Sequence, residues 1–285
     1  MTDEIELDYR PPPPDLAAFV STFYRFATDR AVFEDVERAD RAQLRFRLSA
    51  GPADYRFADG TVQPAPPLHV LGPTSGPVVT RVAGPVRVFG MGLTAAGWGA
   101  LIGIEASAML NRVLDARALF GARMADAAAE LTRAPGIEAM VAAVVPLLRE
   151  LVGACDTATL AFARTVDAWL TGMASPLIED LAAAAGVSRR QVERRCNALY
   201  GCPPKLLARK YRALRAAVAI AAGADEAEAL IAEGFYDQSH MIREIKQFTG
   251  LTPRQMRDQP GMLAQMTIAR RRALEGHVPP IVSRT

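Results

Sequence analysis

Two short segments hold the side chains whose types and spacing suit a definite chemistry. One is SRRQVERRCN, residues 188–197; the other is DQSHMIREIK, residues 237–246. Set out at about 100° per residue, each is a helix with one apolar face. Val192, Cys196 and Leu199 share that face in the first segment, and Met241, Ile245 and Phe248 in the second. Opposite them lie Arg190, Arg194 and Asn197, flanked by Arg189 and Glu193. The second free face holds Ser239, Arg243 and Lys246, flanked by Gln238 and Ile242. The chemistry is hydrogen bonding rather than bond making. Arginine pairs bidentately with guanine and amide side chains with adenine, and the first turn of such a helix reaches base edges. The competing reading is a solvated face, or a salt bridge that ties each helix down.

The chain offers little else of this kind. GPTSG at 72–76 is a turn, since a nucleophile elbow needs Gly-x-Ser-x-Gly between a strand and a helix. FGMGLTAAG at 89–97 lacks dinucleotide-fingerprint spacing. No paired carboxylates, triad, phosphate loop or metal-ligand spacing is present, so the sequence points to no enzyme, no cofactor and no metal. Cys155, Cys196 and Cys202 are too few and odd in number for a disulfide framework. They fit a reducing, cytosolic compartment. Cys196 reads as a small core residue, and His240 as a capping or solvent-exposed one.

The elements that must carry the two segments repeat. Shifted by 49 residues, LAAAAGVSRRQVERRCNALYGCPPK from Leu181 lies over LIAEGFYDQSHMIREIKQFTGLTPR from Leu230. Arg194 falls on Arg243, Gly201 on Gly250 and Pro204 on Pro253. Each copy reads as a leading helix (178–185, then 226–233), a glycine stop at Gly186 or Gly234, a cap at Ser188 or Asp237, and a second helix. This is a helix-turn-helix. That Arg194 and Arg243 recur at one place in both copies favours groove contact over a solvated face. A continuous helix from Pro203 to about Ala222 joins the copies. Its roughly 27 Å approaches the roughly 34 Å between successive major-groove faces. Lys205, Arg209, Lys210, Arg212 and Arg215 on it, with Ser188 at the cap, could meet phosphates.

Together these elements resemble the AraC/XylS family of transcription regulators. LAAAAGVSRRQVERR, GCPPKLLARKYRALRAA and GFYDQSHMIREIKQFTGLTP carry the resemblance over about 85 residues. SRRQVERR and YDQSHMIRE look like a subgroup with a β-rich N-terminal region, to which YRPPPPDLAAFV, LGP and FGMGL are also similar. The resemblance implies double-stranded DNA as partner, contacted by Arg190, Arg194, Ser239 and Arg243. It also implies RNA polymerase as a partner and control by a small-molecule effector or a partner protein. Cys196, Ile245 and Met256 stand where the family commonly has aromatic residues, and Arg195 where it commonly has a hydrophobic one; these departures touch core packing more than the reading face.

The fold class expected is α+β. An N-terminal β-rich barrel- or sandwich-like domain with accessory helices precedes an all-α domain of two helix-turn-helix units joined by a long helix. Residues 1–172 form the sensory and dimerisation region, β-rich over 1–93 and helical over 94–172. Residues 173–260 form the DNA-binding domain, and 261–285 a basic tail read as solvated, with phosphate contact by Arg270–Arg272 as the alternative. In the first region glycine and proline punctuate short strand candidates, and Asp59-Gly60 marks a hairpin. A helix is expected over Asp15–Tyr24, and others near 95–111, 117–133, 136–152 and 157–172.

With 285 residues, half of them hydrophobic, the chain can bury two cores. A net charge of +2 argues neither for nor against a nucleic-acid partner. The acidic, proline-rich start is no signal peptide, and no apolar run reaches membrane-span length. The chain is thus expected to be a sequence-specific regulator, a homodimer, with a small-molecule effector bound in the β-rich domain. The alternative is the same DNA-binding unit with an N-terminal interaction module and no ligand. A cavity lined by mixed polar and aromatic residues would favour the first, and a filled apolar interior the second. His69, Tyr55 and Phe57 are effector-site candidates only as polar or aromatic residues within strands, and core packing explains them equally well.

Overall fold

The computed structural model describes residues 5–152, 156–173, 175–222, 234–258 and 261–285. Its N-terminal half is two antiparallel sheets. The strands are β1 (Ile5–Arg10), β2 (Val20–Thr28), β3 (Val32–Glu37), β4 (Gln43–Arg47), β5 (Ala53–Phe57), β6 (Val62–Pro64), β7 (Leu68–Leu71), β8 (Val78–Ala83), β9 (Val86–Leu93) and β10 (Val113–Asp115). Six form one sheet in the order β1-β2-β9-β4-β7-β10, and four the other, β3-β8-β5-β6. Gly60, at φ 86°, makes the expected hairpin turn between β5 and β6.

The six-stranded sheet is buried on both faces, and β4 shows how. Leu44 and Phe46 join Phe23, Phe89, Met91 and Trp98 under a layer of helices. The alternate residues Gln43, Arg45 and Arg47 point between the sheets. That helical layer contains α1 (Ala95–Leu101), α2 (Ala116–Phe120), α3 (Arg123–Arg133) and α4 (Ile137–Val152). Gly103 and Gly121, at φ 69° each, break the longer helices expected there. A 3-10 turn, Ala106–Met109, follows the first break. The helix expected over Asp15–Tyr24 is instead a turn running into β2. Its segment VSTFYRFAT is β-branched and aromatic, pairs with both β1 and β9, and is buried at eight of nine positions.

The second half is helical: α5 (Thr157–Gly172), α6 (Ile178–Ala185), α7 (Arg189–Tyr200), α8 (Pro204–Ala221), α9 (Gln238–Thr249), α10 (Pro253–Asp258), α11 (Met262–Arg272) and α12 (Pro280–Ser283). A β-rich region thus precedes a helical one. The leading helix expected over 226–233, and Cys155, lie outside the described residues. The stretch read as a solvated tail is folded. Ile281 and Val282 are buried against α5, and α11 lies across the strands. Apolar residues at Leu263 and Met266 give α11 a face to bury.

Two segments of the strand region seat the helical half. In the first, residues 35–41, Ala39 N–H donates to Phe248 O at the end of α9 (2.7 Å). Asp35 accepts from Leu263 N–H (2.9 Å), and Asp40 pairs with Arg271 of α11 (2.5 Å). The second is the Gly72–Pro77 turn. A Cβ added to Gly201, after α7, would come within 3.2 Å of Pro73. One added to Gly250, after α9, would come within 3.1 Å of Pro77. Both glycines have positive φ, 84° and 80°, and end their helices left-handed.

Candidate nucleic-acid interface and the cavity behind it

In the first unit α6 stops at Gly186 (φ 62°, ψ 31°). Ser188 then caps α7 in a capping box. Gln191 N–H donates to Ser188 Oγ (3.3 Å), and Ser188 N–H to Gln191 Oε1 (2.9 Å). Val192 and Cys196 are fully buried with Phe162, Val166 and Leu181. Burial pushes the Cys196 thiol up to about 12, which leaves it inert. On the opposite face Arg190 and Arg194 are exposed and bond to nothing among the described residues. With half-buried Asn197 they line one crevice, whose far side carries Glu105 and Ser107. Arg189 differs: it pairs with Glu179 (3.2 Å) and lies 4.0 Å from Glu193. Both pairs are exposed and weak. Arg195 lays its guanidinium over Phe162 (5.3 Å).

In the second unit Asp237 caps α9 by accepting from His240 N–H (2.6 Å). Met241, Ile245 and Phe248 are buried against Ala213, Leu214 and Ala217 of α8. Gln238, Ser239, Arg243 and Lys246 are exposed and without partners among the described residues. Ile242 departs from expectation. It is half-buried on the α8–α9 core, because a β-branched apolar side chain at the edge of the free face folds back onto apolar neighbours. Tyr236, 94 % exposed beside the cap, was not singled out from the sequence. The turn between Gly234 and Asp237 carries two aromatics, and Phe235 takes the buried place.

The linker helix corrects four of the five cations expected at phosphates. Arg209 donates to Glu244 (2.6 Å) and Gln247 (3.0 Å), and Arg212 to Glu244 (3.4 Å) and Ser175 (3.1 Å). Lys210 is 3 % exposed, its Nζ 3.3 Å from both Asp40 O and Thr74 O. Arg215 donates to Thr171 O and Met173 O. Helical spacing turns 209 and 212 toward α9 and 210 toward the strands, so these charges are spent inside the protein. Lys205 alone of the five is exposed and unpaired among the described residues. Ser188 Oγ is likewise engaged in its cap. Burial works against the Glu244 carboxylate, but Arg209 and Arg212 outweigh it and hold its pKa below the ordinary value.

Between the sheets lies a cavity of about 90 Å³. Of the candidate strand residues, His69 and Tyr55 line it; Phe57 is packed into the sheet core. The sequence reading missed Arg45, Arg47 and Gln43 on β4, and Arg271 from the last long helix. The signal was the alternation Gln-x-Arg-x-Arg in a strand whose other face is apolar. A polar network covers much of one wall. Arg45 donates to Glu37 (2.5 and 2.9 Å), Gln43 (2.9 Å) and Tyr55 Oη (2.8 Å). Tyr24 donates to Gln43 Oε1 (2.6 Å), and Thr80 to Glu37 (2.6 Å). His69 Nδ1 lies 2.7 Å from Pro66 O, which can only accept, so Nδ1 carries the proton and Nε2 accepts from Tyr55 O–H (2.8 Å). Burial and the nearby Arg45 push His69 down to about 3, so it stays neutral. Leu263, Ala264, Thr267 and Arg271 of α11 form part of the cavity wall.

Residues 181–259 match the family model of a helix-turn-helix domain. Among curated protein sequences none matches the chain. Among solved structures the chain is similar to ToxT from Vibrio cholerae in its P21 form, at 10% identity and a TM-score of 0.43, covering 79% of this chain and 97% of that one. It is similar to ToxT from Vibrio cholerae O395 at 8% identity and 0.45, covering 90% and 100%. It is also similar to the AraC-like transcriptional activator CuxR at 15% identity and 0.33, covering 79% and 90%. At these scores the likenesses carry nothing about the N-terminal half.

Proposed function

We infer that this chain, a DNA-binding transcription regulator with an AraC-type helix-turn-helix domain in its C-terminal region, reads two adjacent major-groove segments through α7 and α9. Arg190, Arg194 and Asn197 face one segment, and Gln238, Ser239, Arg243 and Lys246 the other. The observation that carries this reading is the pairing of Arg194 with Arg243. They are equivalent in the repeat, both exposed, and both without protein partners among the described residues. An arginine that stabilised its own module would be paired, as Arg209 and Arg212 are. Lys205 adds phosphate contact, and the duplex is bound as promoter DNA beside RNA polymerase, by a homodimer. Residues 1–172 then serve as the sensory and dimerisation region. A small-molecule effector in the cavity is favoured over a ligand-free interaction module because the interior is a void lined by polar and aromatic groups, not a filled apolar core. Its route to DNA is short: α11, which walls the cavity, follows α9 and α10 directly in the chain.

Selection from a random DNA pool tests the reading. The wild-type chain should enrich a bipartite motif with its parts about one helical turn apart. Arg194→Ala should relax one part and Arg243→Ala the other, each losing about 1–3 kcal/mol of discrimination. Variants that select as the wild type does would show the arginines to be structural.

A further inference from the structure

The turn before α9 breaks the repeat. Under the 49-residue shift Val187 of the first unit falls on Tyr236 of the second, each just before the cap. An apolar residue at that place ordinarily packs back on its own helix and fixes how the chain enters it. Val187 follows the rule and is half-buried on the core that holds Val192. Tyr236 does not: it is 94 % exposed, while Met241, the residue it would cover, is buried. Phe235 fills the second core instead, under the Arg212 guanidinium (5.1 Å) and beside the His240 ring (5.8 Å). Position 236 is thus released from packing, yet it carries a large side chain. Among the described residues the other exposed large apolar side chains range from 37 % to 59 %, so Tyr236 stands out from the surface rather than lying along it.

Its place is fixed. Tyr236 N–H donates to His240 Nδ1 (3.4 Å), and His240 N–H to the Asp237 carboxylate (2.6 Å). Tyr236 therefore sits just outside the first turn of α9, the turn that reaches base edges when such a helix enters a groove. A residue one step outside that turn meets the rim of the groove, where the phosphates run. Asp237 already satisfies the helix end, and its carboxylate repels a phosphate that comes close. A phosphate at this rim must be met by a side chain that reaches beyond the aspartate. The Tyr236 phenol has that reach. It is rigid and neutral, and its O–H has no acceptor among the described residues.

We propose that Tyr236 positions the second unit on DNA by donating its phenol hydrogen bond to a phosphate oxygen at the rim of the groove that α9 enters. The inference rests on the two-groove reading above and adds to it a neutral backbone contact that only one unit possesses.

Affinity of the full chain for the site it enriches, for single-base variants of that site and for the unselected pool tests it. Tyr236→Phe should weaken binding about 3- to 10-fold, the worth of one hydrogen bond, and by the same factor on every duplex. The salt slope should stay in place, because a phenol displaces no counterion. Thermal unfolding should not move, because the exposed side chain supports no core. Tyr236→Ala should lose little more than Tyr236→Phe. Ethylation of one phosphate flanking the second part of the motif should weaken the wild type and leave Tyr236→Phe unaffected. Wild-type affinity in both variants would overturn the assignment. So would a loss in Tyr236→Ala alone, which would mean ring packing, or a loss that varies among single-base variants, which would mean base reading. The parent reading fails separately. If Arg243→Ala relaxes the second part of the motif and Tyr236→Phe binds as the wild type does, the two-groove reading stands and this contact falls. If Arg243→Ala selects unchanged while Tyr236→Phe weakens binding and loses the ethylation signal, this contact stands and base reading by α9 falls.

Discussion

The two helix-turn-helix units share a plan and differ in charge at one position beside their cores. Residue 195 of the first unit is equivalent to residue 244 of the second. Arg195 is half-exposed and lies over the Phe162 ring. Glu244 is 4 % exposed and gathers Arg209 and Arg212 from the linker helix. The first unit is therefore held mainly by apolar packing of α7 on α5 and α6. The second has fewer helical neighbours among the described residues and adds an ion cluster to its contact with α8. Two copies of one motif have been fastened by different physics, and on the free face they share one residue, Arg194 and Arg243.

The contrast can be broken most directly at that position. Glu244→Ala leaves two arginines around a buried site and should lower stability by about 3 kcal/mol. Arg195→Ala removes a cation–π contact and should cost less than about 1 kcal/mol. Thermal and urea unfolding would measure both, and equal losses would show that the units are fastened alike.

Acid should separate the units next. The pKa of Glu244 is lowered in the folded chain, so its stabilisation is complete above the unfolded value of about 4.3 and is lost as pH falls through the folded value. Hydrogen exchange across pH 5 to 3 should find α9 losing protection before α7. Simultaneous loss would mean that the cluster does not hold α9.

The caps give a smaller effect of similar size in both units. Ser188→Ala and Asp237→Ala should each cost about 1 kcal/mol. The loss should be local, visible as exchange at the first turn of α7 or α9. Smallest is the phosphate term: Lys205→Ala should reduce the salt slope of DNA binding by about 1. Arg209→Ala should leave the slope in place and lower stability instead.

Much of the DNA-binding half was legible because its signals are local. The Gly186 stop, the Ser188 and Asp237 caps and the 3.6-residue apolar spacing each constrain a few neighbouring residues, and the helices follow them. The fates of Lys210, Arg209 and Arg212 were not legible, because their partners Asp40, Thr74 and Glu244 lie 32 or more residues away. Nothing in KLLARKYRALR distinguishes a lysine that meets phosphate from one that meets buried carbonyls. The cavity was half legible: alternation in QLRFR puts three polar residues on one face of a strand, but only the sheet pairing shows that face to be interior. The tail read as solvated failed for a related reason. Its basic run hides a sparse apolar face that has meaning only against the strands it covers.

The Gly72–Pro77 turn touches the ends of both reading helices, through Pro73 at Gly201 and Pro77 at Gly250. Its Thr74 carbonyl also holds Lys210 of the helix between them. A single short brace of this kind works as a gauge. It sets not only how far apart the reading helices stand but also their angular phase around a duplex. One inserted base pair rotates a half-site by about 35°. A protein whose two ends share one brace cannot follow that rotation without leaving its seat, so its operators should tolerate changes of base far better than changes of spacing.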